Sequence, residues 1–252
     1  MKKLSIIIPC YNSAQTIKRC LDSIPERDYI QVIVIDDGSE DGTQEILKEY
    51  VGKYEMQLNR FNHGVSNVRN SGIIKALGEF ITFLDSDDEY VEGAIDNILK
   101  AIEGTQENII QFNHLRDGKN VPSLYAHSNV WSLNKLPPKW VLCWNKVYRR
   151  EFIEKHSIFF PEGQQFEEDR IFNFKCFKYS PRIATNSFFT VNKHRTANSL
   201  CHTVEKEKLL ITARNSLEFL KQDLSPDMQK LVRRCLSDFV NSKLFIRTFG
   251  GD

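Results

Sequence analysis

The sequence has almost no net charge, and it lacks a long hydrophobic run and closely paired cysteines. Its 34 lysines and arginines nearly balance its 33 aspartates and glutamates, so no overall field favours nucleic acid as a partner. The apolar run at 4–8 stops at Pro9, which is too short for a signal peptide, and no segment approaches a membrane span. We therefore expect a cytoplasmic protein that does not bind nucleic acid.

The patterns of cysteine and glycine argue against a disulfide-rich secreted protein and against an NAD-binding protein. None of the six cysteines forms a Cys-x-x-Cys pair, and their wide scatter predicts reduced thiols, mostly in the core. No Gly-x-Gly-x-x-Gly follows a strand-like segment, which argues against NAD binding. A chain of 252 residues with ordinary apolar content can bury one large core or two modest ones.

What the sequence does contain is an alternation of short β-branched runs and amphipathic segments. This alternation predicts βαβ units on a mostly parallel α/β sheet flanked by helices. The predicted strands are 4–8, 32–35, 56–59, 80–84 and 108–112, and the predicted helices are 16–24, 43–54, 65–76 and 93–102.

The pattern changes after this first region. Glycine and prolines break 113–138 into loop or hairpin, and then a helix is expected at 166–177 and a strand at 182–191. Past residue 200 the pattern is helical, with Ser225 as an N-cap before Pro226. We expect a nucleotide-sugar-binding region at 1–112, an acceptor and catalytic-base region of the same domain at 113–200, and a helical extension at 201–252.

The most informative segment is an acidic turn, Asp85-Ser86-Asp87-Asp88, directly after an apolar strand. Carboxylates this close are costly unless a cation joins them, and Mg²⁺ or Mn²⁺ prefers carboxylate oxygens that it can bridge to a diphosphate. The alternative is a solvated acidic loop tip. The first interpretation predicts chemistry on a nucleotide-activated donor.

Two other predicted strands end in polar turns at the same edge of the sheet. Asp36 or Asp37 could accept a hydrogen bond from a base or a ribose, Tyr11 offers a ring face, and Gly38 allows close backbone approach. Either turn alone could simply carry capping residues. Arg69 could orient charge in the same crevice or pair with a nearby aspartate.

Together these motifs resemble the donor domain of the family 2 glycosyltransferases, which have the Rossmann-like GT-A fold. The matching segments are Ser5-Ile-Ile-Ile-Pro9-Cys-Tyr11-Asn12, Val34-Ile-Asp36-Asp37-Gly38-Ser39, Arg69-Asn70-Ser-Gly72 and Leu84-Asp85-Ser-Asp87-Asp88. The resemblance is close through about residue 100 and looser to Ser199. It implies an inverting transferase with a metal-bound nucleotide sugar, for which we expect a UDP-sugar.

The resemblance also implies roles for individual residues. Asp37 or Asp36 would meet the nucleobase, Asp85 the ribose and Asp87 the metal. The remaining nucleotide-sugar positions would be Pro9, Tyr11, Asn12, Arg69 and Ser86.

An inverting transfer needs one carboxylate to take the proton of the acceptor hydroxyl. At the position where resembling enzymes place this base stands Asp169, with Glu168 beside it, although both residues could merely cap a helix. Trp144 and Lys146 would line the acceptor side, but the tryptophan could equally be a core anchor.

Cations after Val191 could close over the diphosphate. The candidates are Lys193, His194 and Arg195, and His194 could ligate the metal, contact phosphate or do neither. Resembling enzymes usually have an aromatic pair and an arginine here, so this run departs from their pattern.

The expected acceptor is a glycan or a polyprenyl-diphosphate-linked intermediate of surface polysaccharide synthesis. The basic and apolar residues of 230–240 could rest on the inner face of the cell membrane, or form an ordinary amphipathic helix packed on its own domain. Two rival functions remain: a sugar nucleotidyltransferase, which would need a glycine-rich basic loop after the first strand, and a receiver-like binding module, which would need an aspartate where Asn59 stands.

Overall fold

The computed structural model describes residues 1–121, 129–132, 142–164, 167–180, 182–194, 211, 214–219 and 221–240, with side chains to 237. In this part of the chain, ten strands form one mixed sheet. They are β1 (Leu4–Cys10), β2 (Ile30–Asp36), β3 (Glu55–Leu58), β4 (Phe80–Phe83), β5 (Glu89–Tyr90), β6 (Ile109–Arg116), β7 (Lys119–Asn120), β8 (Asn129–Ser132), β9 (Lys146–Arg149) and β10 (Arg182–Lys193).

Helices accompany the strands in the described residues, and seven of them have assigned bounds. They are α1 (Ile17–Asp22), α2 (Thr43–Leu47), α3 (Val65–Lys75), α4 (Ala94–Ile102), α5 (Arg150–Lys155), α6 (Glu168–Tyr179) and α7 (Pro226–Val240), and a 3-10 turn, Lys48–Tyr50, follows α2. Among the described residues no helix is both long and apolar enough to cross a bilayer.

The sheet order is β3-β2-β1-β4-β9-β6-β10-β5, with β7 beside β6 and β8 beside β10. The first four strands are parallel, as the βαβ alternation predicts. β9 runs antiparallel between β4 and β6, and β10 is parallel to β6. Strands from 1–112 and from 113–200 therefore belong to one sheet.

Both faces of the sheet are buried, which explains why its central strands are almost wholly apolar. Ile7 packs toward α3 and α6, whereas Ile6 and Ile8 pack toward α1 and α4. The five described cysteines are all buried free thiols, as predicted; Cys201 lies outside the described residues.

Several predicted elements have different bounds in the structure. The helix expected at 43–54 ends in the 3-10 turn, because the chain reverses at Gly52, whose φ is +88°, and Val51 bridges to Tyr54. The strand expected at 108–112 continues to Arg116 and turns into the short strand β7. Sequence patterning did not predict β9, whose four residues are too few to show a period.

The C-terminal helix α7 begins at Pro226 after Ser225, as expected, and Ser225 Oγ accepts a hydrogen bond from the Met228 N–H at 3.3 Å. Its apolar residues Met228, Leu231 and Val232 are buried in the core. This is the packed amphipathic helix of the two interpretations, and contact with a membrane stays a prediction.

Candidate functional site

Three loops meet at the carboxyl ends of β1, β2 and β4. Cys10 pairs with Asp36 in the sheet, so β1 and β2 end at the same level. The loops bind one another directly: Ser13 Oγ lies 2.8 Å from Ser86 Oγ, and the Asn12 N–H donates to Ser39 Oγ at 2.8 Å. The crevice predicted from the sequence is therefore a single connected structure, at the edge where α/β sheets bind ligands.

Asp36 is fully buried and holds the loop after β2. Its carboxylate accepts hydrogen bonds from the Ser39 N–H at 3.0 Å, from Ser39 Oγ at 2.5 Å and from Gln44 Nε2 at 2.7 Å. A carboxylate with three short partners is fixed in place. Asp36 thus fixes the conformation of the loop that borders the site.

Asp37 is also buried and ties the next loop to the site. It accepts the N–H groups of His63 at 2.9 Å and Gly64 at 2.8 Å. Gly38 has a φ of +79°, and a Cβ there would lie 2.8 Å from the Phe61 carbonyl carbon. The close backbone approach expected of Gly38 is therefore between two loops of the protein.

Tyr11 and Asn12 follow β1 at this crevice, and both are exposed. Tyr11 is 49% exposed, which is unusual for an aromatic side chain beside a buried sheet. Asn12 adopts a positive φ of 50° and accepts the Glu40 N–H at 3.0 Å. Pro9 lies within β1, buried opposite Ile35.

The acidic turn after β4 gathers three carboxylates. Ligand oxygens of Asp85, Asp87 and Asp88 all lie within 4.8 Å of one another, and Asp85 and Asp87 are partly exposed whereas Asp88 is buried. Arg19 Nη2 fixes the turn from α1 by donating to the Asp87 carbonyl at 2.6 Å. An all-oxygen set of this kind fits Mg²⁺ or Mn²⁺.

Lys193, the last residue of β10, reaches this turn. Its ammonium lies 3.2 Å from Asp85 Oδ2 and 2.5 Å from Asp88 Oδ2, and 4.5 Å from the ring centroid of Trp144. Burial opposes the charge of Lys193, but the two aspartates outweigh it and raise the pKa of Lys193. Burial raises the pKa of Asp88 to about 7, against the pull of Lys193.

Arg69 connects the acidic turn to Glu168 and Asp169, which follow Arg69 by about 100 positions in the chain. Its buried guanidinium donates to Asp85 Oδ1 at 2.9 Å, to Asp169 Oδ1 at 3.2 Å and to Glu168. Burial raises the pKa of Glu168 to about 7, although Arg69 favours its ionised form. For Asp85, Lys193 and Arg69 outweigh burial and lower the pKa.

Asp169 is held from three sides at the start of α6. Besides Arg69, its Oδ2 accepts the Cys143 N–H at 3.0 Å, and the Cys143 thiol lies 3.1 Å from its Oδ1. Asp169 is 8% exposed. Each carboxylate oxygen has two lone pairs, so these contacts leave acceptor capacity for a substrate hydroxyl.

Two other predicted site residues face protein groups. Trp144 is buried edge-on against His114, with ring centroids 4.7 Å apart, and its face carries Lys193. Lys146 is 1% exposed and donates to the Leu142 carbonyl, and burial lowers its pKa to about 7. The core-anchor interpretation of Trp144 fits these contacts better than direct stacking on an acceptor.

His194 is not part of the cluster formed by Asp85, Asp87 and Asp88. Its Nε2 lies 2.9 Å from Glu89 Oε1, and its backbone N–H donates to Asp88 Oδ1 at 3.1 Å. Arg195 lies outside the described residues.

Sequence reasoning missed two contacts of the site. Arg19 and Cys143 lie 68 and 26 positions from the residues they hold, and neither belongs to a recognisable motif. Lys193 was expected only as a phosphate partner. No spacing rule in one sequence could pair it with Asp88, 105 positions earlier.

Comparison with known proteins finds a matching family model and similar proteins. A family model described as "Glycosyl transferase family 2" matches residues 5–183. The putative glycosyltransferase EpsH of Bacillus subtilis is 27% identical over 199 residues, covering 72% of this chain and 57% of the relative. The poly(ribitol-phosphate) beta-N-acetylglucosaminyltransferase TarS of Staphylococcus aureus is 26% identical over 265 residues, covering 99% and 46%. The chain thus spans about half the length of these relatives.

Solved structures agree with the fold. Staphylococcus aureus TarS 1-349 has a TM-score of 0.81 at 24% identity, covering 99% of this chain and 75% of that one. The same protein in complex with UDP-GlcNAc has a TM-score of 0.78 at 24% identity, covering 95% and 72%. At this identity the likeness shows a shared architecture, the mostly parallel α/β sheet of GT-A type.

Proposed function

The chain belongs to glycosyl transferase family 2, and on that premise we propose that it transfers a sugar from a UDP-sugar to a hydroxyl group of a glycan or lipid-linked acceptor. One observation carries this proposal. Arg69 binds Asp85 of the acidic turn and both Glu168 and Asp169 at the start of α6. A donor site and a candidate base are thereby joined through one buried side chain.

The donor would lie across the crevice formed by the three loops. The exposed ring of Tyr11 would face the nucleobase, and Asp85 would meet the ribose while Arg69 keeps it ionised. Asp36 and Asp37 would act by holding the loops against the base, and Ser86 would keep the acidic turn against the loop after β1.

Asp85, Asp87 and Asp88 would hold the divalent metal, because their oxygens are close together and are the ligands that Mg²⁺ and Mn²⁺ prefer. When bound, such an ion supplies Lewis acidity that stabilises the departing diphosphate.

Asp169 would take the proton of the acceptor hydroxyl. As the hydroxyl oxygen forms its bond to the anomeric carbon, the bond from that carbon to the diphosphate oxygen breaks on the opposite face, and the configuration inverts. The N–H of Cys143 and the guanidinium of Arg69 fix the carboxylate for this transfer. Glu168 would hold Arg69 in place.

We further propose an acceptor from surface polysaccharide synthesis at the cytoplasmic face of the membrane, either a glycan or a polyprenyl-diphosphate-linked intermediate. The support is the name of TarS, which places that relative's acceptor in a poly(ribitol-phosphate) polymer.

Asp169→Asn tests the base, and UDP release from a panel of UDP-sugars with Mn²⁺ and glycan acceptors is the measurement. We expect the substitution to lower kcat about 100-fold or more, because the amide cannot accept the proton, while calorimetric UDP affinity stays within about twofold.

Glu168→Gln is the matched control, since it alters the neighbouring carboxylate. If Glu168→Gln loses transfer and Asp169→Asn keeps near-normal turnover, the assignment of the base is wrong. If the unaltered protein neither binds UDP nor releases it from any UDP-sugar, the proposed function itself is wrong.

A further inference from the structure

Lys193 occupies an unusual place for a lysine next to a candidate metal site. We propose that its ammonium group is the built-in counter-cation of the acidic turn, and that a divalent ion binds there only by displacing this group from Asp85 and Asp88. The inference rests on the proposed metal role of the turn. It makes Lys193 the residue that sets how tightly the turn holds a metal ion.

The contacts of Asp85 and Asp88 support this. Asp85 receives Arg69 on Oδ1 and Lys193 on Oδ2, at 2.9 and 3.2 Å. Asp88 receives the His194 N–H on Oδ1 and Lys193 on Oδ2, at 3.1 and 2.5 Å. Lys193 is therefore the one cationic side chain that these contacts place on both aspartates, and it lies between them.

Burial makes this partnership necessary. Asp88 is completely buried, and a buried carboxylate without a cation is strongly destabilising. The side chain of Lys193 is 22% exposed whereas that of Asp88 is fully buried, so Lys193 lies on the solvent side of the pair. Lys193 thus neutralises the turn without being locked into it.

The backbone keeps the ammonium within reach of the turn. Lys193 pairs with Arg116 at the end of the β6–β10 ladder, and its carbonyl accepts the Asp117 N–H at 2.9 Å. The face of Trp144 lies 4.5 Å from the ammonium and already attracts it by a cation–π interaction, in addition to the two aspartates. A movement off the aspartates that keeps the ammonium against this ring would leave the charge stabilised.

A divalent ion at the turn would meet this ammonium at close range. Like charges repel, and both cations need oxygens of Asp85 and Asp88. Removal of the ammonium should therefore strengthen metal binding, which is the opposite of the effect expected if Lys193 merely kept the turn folded.

Lys193→Met provides the test, because it keeps most of the apolar stem and removes the charge. Titration calorimetry with MnCl₂ and no nucleotide should show Mn²⁺ binding at least tenfold tighter than in the unaltered protein. Lys193→Arg keeps the charge and should stay within about threefold of the unaltered protein. Lys100→Met on α4 makes the same change in net charge at an exposed position and should have little effect.

Equal or weaker Mn²⁺ affinity in folded Lys193→Met would overturn the inference, as would absence of Mn²⁺ binding in both proteins. If Lys193→Met does not fold, the unaltered protein decides. Its ¹⁵N-labelled Lys193 ammonium signal, assigned through Lys193→Arg, should shift with the same midpoint as calorimetric Mg²⁺ binding. A signal that stays fixed at Mg²⁺ saturation would overturn the inference.

Calorimetry with UDP in EDTA separates this outcome from the proposed function. UDP binding by the unaltered protein together with unchanged Mn²⁺ affinity in Lys193→Met would leave the transferase proposal standing and refute the role of Lys193. If the unaltered protein binds no UDP, either with or without Mn²⁺, the transferase proposal is refuted instead.

Discussion

At the scale of single residues, Glu168 shows how strongly the surroundings change a carboxyl group. Burial raises its pKa to about 7 from the ordinary value of 4.5, so the folded protein binds a proton there that the unfolded chain releases. Between about pH 4.5 and pH 7 the folded state therefore holds more protons. Stability should fall as pH rises through this window.

Glu168→Gln should flatten this pH dependence, because the amide does not titrate. We expect the contribution of Glu168 to be on the order of 1 kcal/mol per pH unit within the window, since one pKa unit corresponds to about 1.4 kcal/mol. Urea unfolding at several pH values from 4.5 to 7.5 measures it.

The matched control is Glu154→Gln, whose side chain is 51% exposed and pairs with Arg150 on α5. Its profile should follow that of the unaltered protein. A Glu168→Gln profile parallel to the unaltered one would contradict the raised pKa.

The sequence predicted where the site lies better than it predicted which residues bind one another within the site. The acidic turn and the Glu168–Asp169 pair could be identified because carboxylates after a strand or before a helix form local patterns. Asp36 was expected to face a ligand, yet it binds Ser39 and Gln44 in its own loop. Hydrogen bonds of a buried carboxylate depend on loop conformation, which a sequence pattern does not contain.

At the scale of elements, the contact between α3 and β1 decides how the site is assembled. Gly72 on α3 lies against Ile7 of β1, and a Cβ at Gly72 would be 2.3 Å from Ile7 Cγ2. Ile7 is fully buried and β-branched, so it has little freedom to move aside. The glycine lets α3 approach the sheet and bring Arg69 to the acidic turn.

Gly72→Ala should destabilise the protein. Overpacking costs about 1–3 kcal/mol, which exceeds the gain of about 1 kcal/mol in helix propensity in most of that range. The free energy of unfolding in urea measures the net change. Ser71→Ala, one position earlier on α3, should change stability by less than about 0.5 kcal/mol. Equal stability of the two variants would contradict the tight contact.

The elements that the sequence predicts well are the longer helices and strands with a clear apolar pattern. β1, β2, α3 and α4 lie within two residues of their predicted bounds. β1 and β2 are continuous apolar runs because both faces of the sheet are buried, and α4 has a regular apolar stripe. The helix at 43–54 was predicted too long, because the reversal at Gly52 comes from backbone geometry. β9 and β5 form only by pairing with distant strands, and their own residues do not specify them.

At the scale of the whole molecule, Arg69 links the first hundred residues to α6 through charged side chains. It is 4% exposed and binds three carboxylates, two of which belong to α6. Removal of one partner of a buried ion network leaves the others uncompensated.

Arg69→Met should destabilise the protein by about 3–5 kcal/mol, because Glu168 and Asp169 lose their shared cation. Arg69→Lys should recover only part of this, since one ammonium cannot match the geometry of a planar guanidinium on three carboxylates. Chemical unfolding in urea is the measurement.

Lys18→Met is the control for loss of a surface pair. Lys18 is 61% exposed and lies 3.7 Å from both Asp22 and Glu49, so its removal should cost less than about 1 kcal/mol. If Arg69→Met costs no more than Lys18→Met, the buried network does not hold the two parts of the molecule together.

The central claim is that the acidic turn binds a divalent ion together with the diphosphate of a nucleotide. The most direct measurement is UDP affinity by calorimetry with and without Mn²⁺, in the unaltered protein and in Asp87→Asn. We predict that Mn²⁺ increases UDP affinity in the unaltered protein and that Asp87→Asn abolishes this increase. An equal enhancement by Mn²⁺ in both proteins would contradict the claim.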